Sequence, residues 1–254
     1  MKNKTLATLL TFVFSNAVIA QSDLIFKSGM EFVSRLNDTG ITWAGEYPSG
    51  NLTGCSNPVS NPSAQDCNTG RDVTHNDPTD GHAGFSFTKL GASGNTLADQ
   101  SVDYVTTPWA CVQDNVTGLV WEVKTTTAGI HNKDNTYRWG GDTAIGKGHP
   151  NAQGTYYDPS WNELVQGSNI DNLCGYNNWR VPTVAELSSI VNKGTFNPAI
   201  DTNYFPNTVP SLFWSSSPFA GIPSIAWNID FNYGYVSYAY RNNVGRVLLV
   251  RSGQ

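Results

Sequence analysis

Between Ala226 and Asn232 apolar and polar side chains alternate without a break, Trp227, Ile229 and Phe231 on one side and Asn228, Asp230 and Asn232 on the other. A period of two is the signature of a strand with one buried face, and such a strand needs partners to satisfy its backbone. The partners come next in the sequence. Tyr233-Gly234 turns the chain, Tyr235–Tyr240 reads as a second strand, Arg241-Asn242-Asn243 turns it again, and Gly245–Arg251 reads as a third, rich in Val and Leu. The C-terminal stretch is therefore expected to form an antiparallel meander. Its polar side presents Asn228, Asp230, Asn232, Tyr235 and Arg241, with Tyr238 and Tyr240 as rings. Amides both donate and accept, and aromatic rings stack on sugar faces, so this side suits a ligand rich in hydroxyls.

A second local signal lies at Trp179-Arg180-Val181-Pro182-Thr183-Val184-Ala185-Glu186-Leu187. Thr183 and Glu186 have the spacing of a capping box, so a helix is expected to start there, with Leu187, Ile190 and Val191 on its inner face and Gly194 ending it. That spacing accounts for Glu186 as a structural residue before a catalytic one. A further helix is expected over Trp161–Asn169, opened by Asp158-Pro159. A strand is expected at Leu119–Val123.

The compartment is read from the other end of the chain. Lys2 and Lys4 precede an apolar run from Leu6 to Phe14, and Val18-Ile19-Ala20 ends in a small residue, the pattern of a cleaved secretory signal over residues 1–20. The run is too short to span a bilayer, and no later segment is long and apolar enough, so no membrane span is expected in the mature chain. An extracytoplasmic location is the consequence: secreted, periplasmic or cell surface. Four cysteines, Cys55, Cys67, Cys111 and Cys174, then imply two disulfides, with Cys55–Cys67 and Cys111–Cys174 the preferred pairing among three possible ones. The net charge of the whole chain is −5, and loss of Lys2 and Lys4 makes it two charges more negative. Without a basic run, nucleic acid and anionic membranes are poor partners.

The first half is less specified. Residues 21–105 are cut by Gly, Pro, Asn and Asp into short pieces, among them Ile41–Trp43 and Gly84–Leu90, which suit brief strands within a loop-rich region ahead of a domain at 106–254. Asn37-Asp38-Thr39-Gly40-Ile41-Thr42-Trp43 is echoed by Asn115-Val116-Thr117-Gly118-Leu119-Val120-Trp121, each a polar turn feeding a strand. His75, His82, His131 and His149 sit in polar stretches without metal-ligand spacing and read as solvated loop residues. In Asn76-Asp77-Pro78-Thr79-Asp80-Gly81 the carboxylates of Asp77 and Asp80 offer the ligand chemistry calcium prefers, without the full loop of an EF-hand; an Asx turn explains the same residues. No other cofactor is expected.

Four motifs in order, Asp114-Asn115-Val116-Thr117-Gly118-Leu119-Val120-Trp121, Leu173-Cys174-Gly175-Tyr176-Asn177-Asn178-Trp179-Arg180-Val181-Pro182-Thr183, Phe213-Trp214-Ser215-Ser216-Ser217 and Arg246-Val247-Leu248-Leu249-Val250-Arg251, resemble the Legionella collagen-like protein C-terminal domain family over residues 109–254. That family is similar in turn to the formylglycine-generating, sulfatase-modifying-factor group. The resemblance implies an α+β, C-type-lectin-like domain with a twisted antiparallel sheet and two helices. It also implies an adhesin for sulfated polysaccharides, whereas an acidic chain without basic clusters fits a neutral glycan or a surface protein better. No cysteine follows Cys174, so the reactive pair of the formylglycine-generating enzymes is missing, and nothing near Ser215, Ser216 and Ser217 in sequence supplies a base. The expected function is a secreted or surface-exposed, adhesin-like binding module and not an enzyme, with an accessory or tip subunit of a surface appendage as the alternative. Should the hairpin face prove structural, the Asn/Asp-rich loop from Asn132 to Asn151 is the next place to look for the site.

Overall fold

A computed structural model describes residues 37–46, 50–51, 70–75, 77–141, 143–144 and 159–253. The expected signal segment, Cys55 and Cys67, Asn76, Asp158 and residues 145–151, His149 among them, lie outside the described residues. Among the described residues no helix is long and apolar enough to cross a membrane.

The architecture is mixed and sheet-rich, with antiparallel strand pairs and short helices. Strands β3 (Phe87–Leu90), β4 (Cys111–Asp114), β5 (Leu119–Glu122) and β11 (Val250–Ser252) form a four-stranded sheet in the order β11-β5-β4-β3. A separate three-stranded sheet runs β7 (Leu212–Pro218), β8 (Ile225–Asp230), β9 (Tyr235–Tyr240). Two small ladders complete the described strands: β1 (Gly45–Glu46) with β2 (Gly50–Asn51), and β6 (Tyr137–Arg138) with β10 (Val244–Gly245). The described helices are α1 (Arg71–Thr74), α2 (Asn162–Ile170) and α3 (Val184–Ser188), with a 3-10 turn at Leu173–Gly175. The stretch before residue 106 thus contributes β3 to the same sheet as the segments after it.

Both faces of the larger sheet are covered. Along β4, β5 and the C-terminal segment the alternation sends Val112, Leu119, Trp121, Leu248 and Val250 into one apolar cluster with Phe85, Phe87, Phe205, Phe213, Ile229 and Phe231. It sends Cys111, Val120, Val247 and Leu249 into another with Trp139, Trp161, Trp179, Trp214 and Ala226. Every residue of β5 is buried, including Glu122.

The expected local signals appear where chain-local chemistry decides them. Thr183 Oγ1 accepts from the Glu186 amide at 3.2 Å and Glu186 Oε2 accepts from the Thr183 amide at 2.8 Å, closing the capping box. Glu186 also takes a two-pronged contact from the Arg180 guanidinium at 2.7 and 2.5 Å. Burial pushes its carboxyl up, and Arg180 outweighs that and holds it below the usual carboxylate range. Cys111 and Cys174 are joined, as expected, across 63 residues. The two echoed turns share their geometry as well as their sequence. Thr39 Oγ1 accepts from the Ile41 amide at 3.2 Å and Thr117 Oγ1 from the Leu119 amide at 3.3 Å, and the intervening Gly40 and Gly118 both have positive φ, at 80° and 73°. Asp114 closes the second turn by accepting from the Val116 and Thr117 amides, and its other oxygen accepts from Asn37 Nδ2 at 2.6 Å, tying the two copies together.

Other expectations are corrected. The helix after Thr183 stops at Ser188, and Gly194 is not its terminator. Leu187, Ile190 and Val191 are all buried, but the last two reach the core from the turn beyond the helix. Ile41–Trp43 forms no strand. The segment Gly245–Arg251 does not add a third strand beside β9. Arg246 instead pairs alongside β7, through Trp214 N to Arg246 O and Arg246 N to Leu212 O, both 2.8 Å, and Val250–Ser252 continues as β11 against β5. β9 is thereby left as the outer strand of its sheet.

Candidate functional site

β8 and β9 pair in full antiparallel register, from Ile225 opposite Tyr240 to Asp230 opposite Tyr235. The register places Tyr238 across from Trp227 and Ser237 across from Asn228. As the outer strand, β9 is largely uncovered by the described residues. Tyr235, Val236, Tyr238 and Tyr240 are all at least half exposed, and Tyr233 in the preceding turn matches them. The rings are ordered by one another. Tyr233 and Tyr235 stack with centroids 5.8 Å apart, and Tyr238 packs against Phe219 at 5.3 Å and edge-on to the half-buried Trp227 at 6.0 Å. An uncharged strand with aromatic side chains on both faces offers hydrophobic, ring-stacking contact with phenol hydroxyls at its rim.

The polar row expected from the sequence does not survive intact. Asn228 is only 1% exposed and Arg241 only 2%. Asn228 lies on the face of β8 that carries Ala226, beside Trp214 of β7, both part of an apolar cluster. Arg241 turns inward, its guanidinium 3.9 Å over the Trp139 ring and its Nε donating to Ile225 O at 3.4 Å. Asp230 and Asn232 are half-buried, with Asp230 Oδ1 accepting from the Asn232 amide at 2.9 Å in the turn. Alternation predicts which residues share a face; it does not say that the other face is open, and here a tryptophan-rich cluster covers it. Trp227, assigned to the core, sits at its margin instead.

Among the described residues, both side-chain polar atoms of Asn228 are buried without a hydrogen-bond partner. A buried amide in that state costs about 1–3 kcal/mol. Asn228→Leu, close in volume and without polar atoms, is therefore expected to raise stability by about 1 kcal/mol, measured by urea unfolding. A loss of stability would mean the amide is held by something the fold requires.

The remaining sequence-nominated residues fall elsewhere. Asp77 Oδ1 accepts from the Thr79 amide at 2.9 Å and from its hydroxyl at 2.7 Å, an Asx turn, and Asp80 Oδ2 accepts from Ser86 Oγ at 2.6 Å. Among the described residues no group of three or more His, Cys, Asp or Glu side chains is arranged to hold a metal ion. Ser215 Oγ donates to Trp227 O at 2.8 Å, and Ser217 Oγ accepts from the Val184 amide at 3.1 Å, so these hydroxyls tie β7 to its neighbours.

One polar cluster is not among the residues the sequence nominated. Glu122 is fully buried. Its Oε1 lies 2.7 Å from both Lys124 Nζ and His131 Nδ1, and its Oε2 accepts from the Leu249 amide at 2.9 Å. Lys124 is buried with it, so burial pushes its ammonium down while Glu122 opposes that shift. His131 is therefore a partner of a buried carboxylate and not a solvated loop residue. The available signal was the spacing: Glu122 and Lys124 are two apart, at the end of a stretch otherwise made of Leu, Val and Trp, which puts both side chains on one side of an extended chain. These partners all come from the chain itself, and the geometry is that of an internal anchor joining β5, the 131 turn and the segment before β11.

Against this geometry, the family model described as the Lcl C-terminal domain matches residues 110–251. The chain belongs to that family. The matched stretch takes in β4 to the start of β11, hence Glu122, the Cys111–Cys174 disulfide, the capping box and all of β9, so these features lie in the Lcl C-terminal domain and not in the segment ahead of it. No curated protein and no solved structure matches the chain.

Proposed function

We propose that this protein is an extracytoplasmic, adhesin-like binding module that recognises a glycan through β9. The observation that carries the reading is the set of exposed rings on an uncharged outer strand, Tyr238 and Tyr240 on one face with Trp227 and Phe219 ordering Tyr238, and Tyr235 on the other. Exposed rings held in place by neighbours present stacking area at little entropic cost, and the phenol hydroxyls supply donors and acceptors. Asp230, opposite Tyr235, and Asn232 lie half-buried at one end of the strand, while Asn228 and Arg241 are buried and take no part in the surface. The acidic chain favours a neutral glycan over a sulfated one. Membership in the Lcl C-terminal domain family and the antiparallel sheets with α2 and α3 support a C-type-lectin-like architecture, and the leader at residues 1–20 supports secretion. The reading uses no cofactor, and it leaves Asp77 and Asp80 to their turns ahead of any calcium ion.

Binding of the secreted chain to an array of neutral and sulfated glycans tests this. Tyr235→Ala and Tyr238→Ala are each expected to weaken the best neutral ligand by roughly 2- to 12-fold, the worth of one ring contact, with the protein still folded and its melting temperature lowered only by the loss of the ring contacts to Tyr233 or to Phe219 and Trp227. Binding that survives loss of both rings sinks the assignment to β9. A second reading, an accessory subunit of a surface appendage, is favoured by one observation: β9 has no charge, proline or bulge to block strand addition. A filament protein co-purifying with the chain, and lost on Val236→Lys, would favour it over the glycan.

A further inference from the structure

The loops 78–82, 100–104 and 201–206 meet beside β3 and line a half-open cavity of about 520 Å³ to which β9 contributes no residue. That is within the roughly 300–1,000 Å³ usual for small-ligand sites. Tyr104, Trp109 and Tyr204 line it, with the Tyr104 ring edge-on to Trp109 at 4.9 Å. Two charged residues in the lining are themselves more than nine-tenths buried, Lys89 at 4% exposure and Asp201 at 8%.

The hydrogen bonding of these two groups is incomplete. Lys89 Nζ donates to Gln100 O at 2.9 Å and Val102 O at 2.8 Å, and rests 4.4 Å from the Trp109 ring centre. An ammonium carries three protons, so one is outside these two hydrogen bonds, with the Tyr204 ring centre also 5.2 Å from Nζ. Asp201 Oδ1 accepts from the Asn203 amide at 3.0 Å, and among the described residues no hydrogen bond engages Oδ2. Among the same residues no ion pair joins Lys89 to Asp201. The cavity therefore holds a buried ammonium with one proton outside its two carbonyl hydrogen bonds, and an accessible carboxylate oxygen that no hydrogen bond engages among the described residues, beside aromatic side chains.

Charge narrows the ligand. Asp99 and Asp103 add to Asp201 in the field at Lys89 and disfavour an anion, while the buried ammonium disfavours a second cation. A hydroxyl pair avoids both penalties, since one hydroxyl can accept from Lys89 while its neighbour donates to Asp201. Ring walls suit the apolar face of a pyranose. We propose that this cavity is a binding site for a single neutral sugar residue, its adjacent hydroxyls bridging Lys89 Nζ and Asp201 Oδ2. The site is separate from β9 and stands whether or not β9 binds a glycan.

Saturation-transfer NMR of the full chain with methyl α-glucoside, methyl α-galactoside and methyl α-mannoside, each at millimolar concentration, tests the proposal. At least one is expected to bind. Asp201→Asn keeps an oxygen for the Asn203 amide and turns the second acceptor into a donor, and should weaken that binding at least about tenfold, the worth of one hydrogen bond to a charged group. Thr202→Trp, at an exposed position of the lining, should block entry to a similar extent without changing the melting temperature. Tyr238→Ala should leave the affinity unchanged. The proposal is overturned if none of the three glycosides binds, if either cavity variant binds with the affinity of the parent, or if Tyr238→Ala abolishes the signal.

Discussion

Glu122→Ala is expected to destabilise the protein by about 3–5 kcal/mol, because it leaves the Lys124 ammonium buried without its counter-charge. It also leaves the Leu249 amide without its acceptor, and so loosens the approach of the C-terminal segment to β5. The double variant Glu122→Ala/Lys124→Met is expected to recover much of that loss, since removing both members of a buried pair is far less costly than removing one. Chemical denaturation of the parent, each single variant including Lys124→Met, and the double variant gives the coupling. A single variant within 1 kcal/mol of the parent, well below the ~3 kcal/mol expected for breaking a buried pair, would show that the cluster is not an anchor.

The same cluster sets an acid limit. Burial pushes the Glu122 carboxyl up, but Lys124 and His131 outweigh it and hold the group below its ordinary value. A carboxyl whose folded pKa lies below its unfolded one contributes stability that is whole above about pH 4.5 and is lost as the pH falls through the folded value. Stability of the parent should therefore drop on acidification below about pH 4.5, and the drop should be shallower in Glu122→Ala/Lys124→Met.

The second large effect concerns the Cys111–Cys174 disulfide. It joins β4 to the 3-10 turn after α2, and both cysteines are wholly buried in the tryptophan-rich cluster. Opening a loop of this length is expected to cost about 2–5 kcal/mol. Cys111→Ala/Cys174→Ala measured against the parent under non-reducing conditions gives the value. A difference below 1 kcal/mol, under the ~2 kcal/mol floor for native disulfides in small secreted domains, would mean that packing alone holds the 3-10 turn against β4.

What the sequence determined by itself is chain-local. The Thr183–Glu186 cap, the paired turns at Thr39 and Thr117, the strands at Leu119 and Tyr235, and the shared face of Trp227 and Ile229 each rest on residues within a few positions, where the backbone period and one hydrogen bond decide the outcome. The Cys111–Cys174 link was legible because four cysteines allow only three pairings. The motifs from Asp114 onward carried the family. Burial of the second face was not legible. Asn228, Arg241 and His131 look like accessible polar residues in sequence, and only its spacing to Lys124 marks Glu122. Groups brought from far along the chain cover them, Trp139 over Arg241 and the Leu249 amide, 127 residues away, on Glu122. Alternation is a property of one strand, whereas exposure depends on which other elements pack against it. Only the tertiary structure decided that β9 would be the uncovered strand, because the C-terminal segment crosses to β7 and β5 instead of pairing beside it.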